Sequence, residues 1–267
     1  MLQQAEDLRA EAHALCRLLE PLVDADWDRA TQFKDWTIND IVQHLDSGDE
    51  RAIASITDPA MFDELVAQSR AARTAGLSRI TETRRQFGSL TGGRLLAHWH
   101  DQLGTLCGMV ARLQPDQRLK WSGPSMGARS FTSARQMETW AHGQAVYDLL
   151  GVERPQADRL RHIAQLGVRT FGWTFANRGD AVPAEKPYVR LAAPSGTLWE
   201  WNAPSAANRV EGEAFEFCQV VAQVRNVADT QLSVIGPVAQ SWMAVAQCFA
   251  GPPENPPAPG TRYRVAA

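Results

Sequence analysis

Glu138 and His142 stand four residues apart in the stretch Arg135 to His142, a spacing that on a helix places them on one face, one turn apart. A carboxylate and an imidazole so arranged could close on one divalent cation, although such a pair is more often an ordinary solvated helix surface. His44 supplies a third donor. It lies on the flank of the apolar stripe Ile38, Ile41, Val42 and Leu45, where an imidazole without a partner would be costly. Two neutral imidazoles and one carboxylate from two helices form the three-ligand set of an open catalytic metal site. Asp40, one turn before His44, could accept the other ring N–H and fix the tautomer. On spacing alone, a core histidine bonded to a backbone carbonyl beside a surface Glu/His pair explains these residues equally well.

These donors need helices to hold them. Leu2, Leu8, Ala12, Leu15, Leu18 and Leu19 form an amphipathic stripe stopped by Pro21. Thr37 with Asp40 three residues on is a capping box opening the His44 helix. Further helices are expected over 59–87, 91–113 and about 130–150, the last closed by Gly151. Short connections between such helices describe an antiparallel bundle. Beyond residue 151 a helix over about 158–176 gives way to a hairpin, Tyr188–Ala193 and Thr197–Asn202 around Pro194-Ser195-Gly196, then to helical patterns over 212–224 and 237–249. The expected organisation is a bundle over 1–152, a small α+β domain over 158–250 and a Pro-rich tail over 251–267, a mainly α member of the α+β class.

Composition narrows the chemistry. The 267 residues are 44% hydrophobic and 21% charged, the composition of a folded globular chain. Thirty acidic against 27 basic side chains give a net charge of −3, with no basic run to grip nucleic acid or an anionic membrane. The acidic start lacks the pattern of a secretory signal, and no apolar stretch is long enough to span a bilayer; a cytoplasmic location is expected. Cys16, Cys107, Cys218 and Cys248 stand far apart among apolar residues and read as buried, inert thiols. His98 and His100 are two apart on a helix, so they cannot chelate one ion together. Of the nine Trp, Trp99, Trp121, Trp140, Trp199 and Trp201 could line an apolar pocket, though core positions are the commoner use. Gly92-Gly93 belongs to no phosphate-loop motif.

Trp36-Thr37-x-x-Asp40-x-x-x-His44-Leu45, followed by Met137-Glu138-x-Trp140-x-His142, resembles the mycothiol-dependent maleylpyruvate isomerase family, within the DinB-like four-helix metal proteins. The resemblance spans most of the chain, its nearest form being an actinobacterial subgroup described only as metal-binding. It implies a divalent metal, zinc being favoured with nickel, manganese and iron left open, on His44, Glu138 and His142. It also implies a sterol-carrier-protein-like C-terminal domain, matched at Val189-Arg-Leu-x-x-Pro-x-Gly196 and at Gly236-Pro237.

The function so implied is activation of a low-molecular-weight thiol such as mycothiol, for cis/trans isomerisation or S-transfer on a small acidic substrate. A thiol-independent, metal-dependent hydrolase, hydratase or lyase, or a non-catalytic metal-containing protein that binds a small molecule, are the alternatives. A thiol cofactor and an acidic substrate both present carboxylates, which guanidinium binds in pairs of hydrogen bonds. Arg135 shares the face of Glu138 and His142 and is expected either to orient Glu138 or to clamp a carboxylate. Arg225 is the candidate for the arginine that the family's C-terminal domain extends toward its metal, the alternative being a solvated helix-end cation. A small molecule is the expected partner, with no nucleic acid or membrane, for a monomer or homodimer.

Overall fold

The computed structural model describes residues 2–266, which divide between Leu150 and Gly151 into two compact units. In the first, four long helices form the bundle: α1 (Gln3–Leu19), α3 (Ile38–Thr57), α6 (Gly92–Val110) and α7 (Ala128–Leu149), with a short α2 (Asp24–Trp27) after the first. Each helix of the bundle packs on two others, α1 and α3 both lying against α6 and α7. Their shared core is aliphatic and aromatic, with Leu8, Leu15, Ile41, Leu45, Leu106 and Phe131 removed from solvent.

Caps set the helix starts. The Thr37 side chain accepts from the Asp40 N–H, and the Asp40 carboxylate accepts from the Thr37 N–H at 2.9 Å, the reciprocal pair that the sequence predicts. The single helix expected over 59–87 is two, α4 (Pro59–Thr74) and α5 (Arg79–Phe87). Gly76 turns the chain at φ +78°, and Ser78 caps the restart by accepting from the Thr81 N–H. A charged face continued across a break in this way leaves periodicity uninformed of the turn. The bundle unit also contains a two-residue ladder, β1 (Arg118–Leu119) against β2 (Met126–Gly127), which the sequence reading leaves as a loop.

In the second unit the run expected over 158–176 becomes a 3₁₀ turn, then α8 (Arg161–Arg169) and α9 (Phe171–Ala176). It breaks at Thr170, whose hydroxyl donates back to the Leu166 and Gly167 carbonyls at 2.9 and 3.0 Å. The predicted hairpin forms as β3 (Tyr188–Ala192) and β4 (Leu198–Trp201), Val189 opposite Trp201. Two unpredicted strands complete the sheet in the order β4-β3-β5-β6: β5 (Arg209–Glu213) lies parallel to β3, and β6 (Ser233–Ile235) antiparallel to β5. The helices α10 (Ala214–Val221) and α11 (Pro237–Met243) are shorter than expected. Before α11, Gly236 takes φ +90°, and a Cβ there would fall 1.9 Å from the Ala207 carbonyl oxygen. The Pro-rich segment is tied back as a strap, Gln223 donating to the Glu254 carbonyl at 2.8 Å and Asn226 to that of Pro257 at 2.9 Å. Among the described residues no helix is long and apolar enough to cross a membrane.

Candidate metal centre

The helices α3 and α7 bring His44, Glu138 and His142 together. The His44 Nε2 lies 3.5 Å and the His142 Nε2 3.3 Å from the same oxygen, Glu138 Oε2, and the two rings are 4.4 Å apart centroid to centroid. One donor atom from each residue falls within 4.8 Å of the others. The side chains keep 16%, 20% and 11% of their surface exposed, so the cluster is sheltered yet reachable. Burial, with the neighbouring His142, pushes the His44 imidazole down to about 3, and the Arg79 charge acts in the same direction. Burial alone would push the Glu138 carboxyl up. The hydrogen bonds and charges of His142 and His44 outweigh it and hold the carboxyl well below the usual range. A neutral imidazole and an ionised carboxylate are the forms that ligate a cation. The donor chemistry and its convergence therefore fit a divalent metal such as zinc.

Aromatic rings from the loop before α3 wall the cluster. Trp36 stacks on His142 with ring planes 2° apart and centroids 5.6 Å apart, and meets His44 edge-on at 5.2 Å. Phe33 meets His142 edge-on at 4.9 Å. The loop achieves this through two successive left-handed residues, Lys34 at φ +54° and Asp35 at φ +57°, a conformation disfavoured for side chains with a Cβ. No glycine announces it, so Phe33 is absent from the sequence reading.

Asp40 does not orient His44. Its carboxylate is saturated by the Thr37 cap and by Arg84, whose Nε and Nη2 each donate at 2.7 Å, while the buried His44 Nδ1 has no hydrogen-bond partner. The expectation failed because a capping aspartate is already committed to its own helix end.

Arg135 is likewise engaged away from Glu138. Its Nε donates to Asp49 Oδ1 at 3.0 Å, its Nη2 lies 2.9 Å from the same atom, and Nη2 also donates to the Leu45 carbonyl at 3.2 Å. Helical side chains lean toward the N-terminus, so Arg135 reaches one layer away from Glu138, where Asp49 waits. Trp99 of α6 donates to the other Asp49 oxygen at 2.9 Å.

Arg225 belongs to the second unit, just beyond α10, where it is buried and donates to the Val224 carbonyl at 3.2 Å. His98 and His100 go separate ways: His98 Nδ1 lies 2.6 Å from the buried Asp46 carboxylate, and His100 stacks on His13. Trp99, Trp140 and Trp199 are buried core residues. All four cysteines are buried and unpaired with one another, and burial pushes Cys16 and Cys107 up to about 12, far from a reactive thiolate.

Arg79, at the start of α5, is a second residue that sequence reasoning missed, hidden inside the helix drawn across residues 75–78. Its Nη1 is held by Ser69 Oγ at 2.8 Å and by Glu82 Oε2 at 3.4 Å. Its Nε and Nη2 have no acceptor among the described residues.

Comparison with known proteins agrees with the expected family and fold. Residues 8–147, just over half of the chain, match the family model of the mycothiol maleylpyruvate isomerase N-terminal domain. Two uncharacterized proteins of Mycobacterium tuberculosis, from strains CDC 1551 and H37Rv, are each 40% identical over 247 residues, covering 92% of this chain and 95% of theirs. Among solved structures, the mycothiol-dependent maleylpyruvate isomerase is similar in fold, with a TM-score of 0.56 and 14% identity over 87% of this chain and 91% of that one. A histidine-to-alanine mutant of that enzyme gives 0.53 over 83% and 88%.

Proposed function

Since the chain belongs to the mycothiol maleylpyruvate isomerase family, we propose that it is a divalent-metal-dependent enzyme that uses a low-molecular-weight thiol of the mycothiol kind on a small acidic substrate. His44, Glu138 and His142 would hold the metal. When bound, a divalent cation there supplies Lewis acidity that keeps a thiol ionised at neutral pH. The observation that carries the reading is the convergence of both Nε2 atoms on one carboxylate oxygen in a half-open, aromatic-walled setting.

The chain's own residues divide the work. Burial keeps His44 neutral and so free to ligate, while its two imidazole neighbours keep Glu138 ionised. Trp36 and Phe33 shield one side of the cluster from water, and a drier setting strengthens every charge interaction within it. Arg79 offers Nε and Nη2 for a substrate or thiol carboxylate, a role that Arg135, buried and paired with Asp49, does not fill. In the isomerisation form, a cis double bond saturated by thiol addition rotates as a single bond and is restored trans when the thiol is eliminated. The proton gained by the carbon skeleton on addition is returned on elimination.

The test is elemental analysis of protein purified without chelator, followed by turnover of a cis-enedicarboxylic acid with and without mycothiol. About one metal per chain and thiol-dependent turnover are expected. Turnover that ignores the thiol would move the assignment to a hydrolase or hydratase, and a metal-free protein would refute the centre.

A further inference from the structure

We propose that the buried Asp49–Arg135–Trp99 cluster is a register lock, which sets α7 against α3 so that Glu138 and His142 meet His44 at metal-binding distance. The proposal rests on the metal reading above and concerns a layer of the bundle that holds no ligand. The two helices run in opposite senses at this contact: residue 44 meets 138 and 142, and residues 45 and 49 meet 135. The lock is therefore the layer adjoining the ligands on both helices, with Arg135 three residues before Glu138 and Asp49 five after His44.

Its bonds are directional and engage both carboxylate oxygens. One carboxylate takes Arg135 from α7 and Trp99 from α6, and the guanidinium also caps the Leu45 carbonyl, next in the chain to His44. The side chains of Arg135 and Asp49 are 5% and 0% exposed, so neither meets a ligand from solvent. Gly48 leaves the room: a Cβ there would come 2.6 Å from Arg135 Nη1. A buried ion pair adds little net stability over apolar packing of the same volume, so stability does not explain it. Apolar side chains tolerate small slides, whereas a site of three ligands must be held to about 0.5 Å. A sliding helix moves its ligands by 1.5 Å per residue of slip. Arg135, Asp49 and Trp99 are on this basis positioning residues, acting on the metal through the helices.

The decisive variant is Asp49→Leu with Arg135→Met, which keeps volume and removes direction. Its melting temperature should fall by less than that of Arg135→Met alone, the remaining drop reflecting the Trp99 N–H left without an acceptor. Its zinc Kd, from competition with a chromophoric chelator, should rise about tenfold or more, and the visible spectrum of the cobalt(II) form should change in band position or intensity. If the double variant does not fold, Arg135→Lys decides, because it keeps a charge for Asp49 and loses the fork to Leu45; its expected zinc Kd is raised about threefold or more. A folded double variant, or failing that Arg135→Lys, with wild-type Kd and spectrum would overturn the lock. A wild-type protein that takes up neither zinc nor cobalt in the same titration would instead overturn the metal reading, and the lock with it.

Discussion

Two adjoining layers of α3 and α7 each set one carboxylate among nitrogen-bearing side chains, to opposite effect. In one, Asp49, Arg135 and Trp99 form a closed set, both carboxylate oxygens engaged and the guanidinium shared between Asp49 and Leu45. In the other, His44, Glu138 and His142 converge on each other, retain some exposure, and keep two buried Nδ1 atoms without a hydrogen-bond partner. Buried polar groups that satisfy one another specify structure. Those left unsatisfied call for an explanation, and on the proposed function a bound cation supplies it. The two arginines differ in the same direction, since Arg135 is held through Nε and Nη2 and Arg79 through Nη1 only.

The comparison breaks most readily at the closed layer. Arg135→Met alone leaves the Asp49 carboxylate buried with only Trp99 beside it, and should cost about 3–5 kcal/mol of apo-protein stability in urea denaturation. A loss under about 1 kcal/mol would mean that the layer is not closed. At the open layer the signs reverse: His142→Ala should weaken metal binding about a hundredfold or more, read as metal retained after dialysis. Its apo stability should fall by less than that of Arg135→Met, and equal metal loading in variant and wild type would contradict the ligand assignment.

Gly48→Ala sharpens the contrast from the backbone side. The added methyl group meets the guanidinium, and a cost of about 1–3 kcal/mol is expected from denaturation midpoints. Arg79→Gln should raise KM for an acidic substrate about tenfold, with melting temperature and metal content unchanged; an unaltered KM removes Arg79 from the site.

The pH dependence tests the open layer from its protonation. His44 is pushed down to about 3 from an ordinary 6.5, so the folded apo protein binds fewer protons than the unfolded chain between those values. Its contribution to stability is present above pH 6.5 and is lost as pH falls toward 3. Asp46, next to the closed layer, opposes it. Burial pushes its carboxyl up to about 6 from 3.8 despite His98, and its contribution is lost as pH rises through that window. Melting curves of His44→Gln should therefore show a shallower loss on acidification than the wild type, and an unchanged acid limb would refute the neutral buried imidazole.

Helix-by-helix, the bundle was legible because its signals are local. The Thr37/Asp40 box, the Pro21 stop and the i, i+4 spacing of Glu138 and His142 each act within a turn or two. The strands β5 and β6 were not, because their pairing is set by partners 20 or more residues away in sequence. The meeting of His44, Glu138 and His142 could be anticipated from spacing and resemblance. The roles of Asp40 and Arg135 could not, since whether a polar group is already committed depends on which residue the fold sets opposite it. Asp49 gave no signal at all: an aspartate on an amphipathic helix reads as solvated until Trp99 and Arg135 are seen to enclose it.

The central claim, that His44, Glu138 and His142 hold a metal which meets a thiol, is tested most directly by titrating the cobalt(II)-loaded protein with mycothiol and recording its absorption spectrum. A saturable thiolate-to-cobalt charge-transfer band, absent from His142→Ala treated in the same way, is the expected result. A wild-type protein that binds cobalt but gives no such band with mycothiol would contradict the claim.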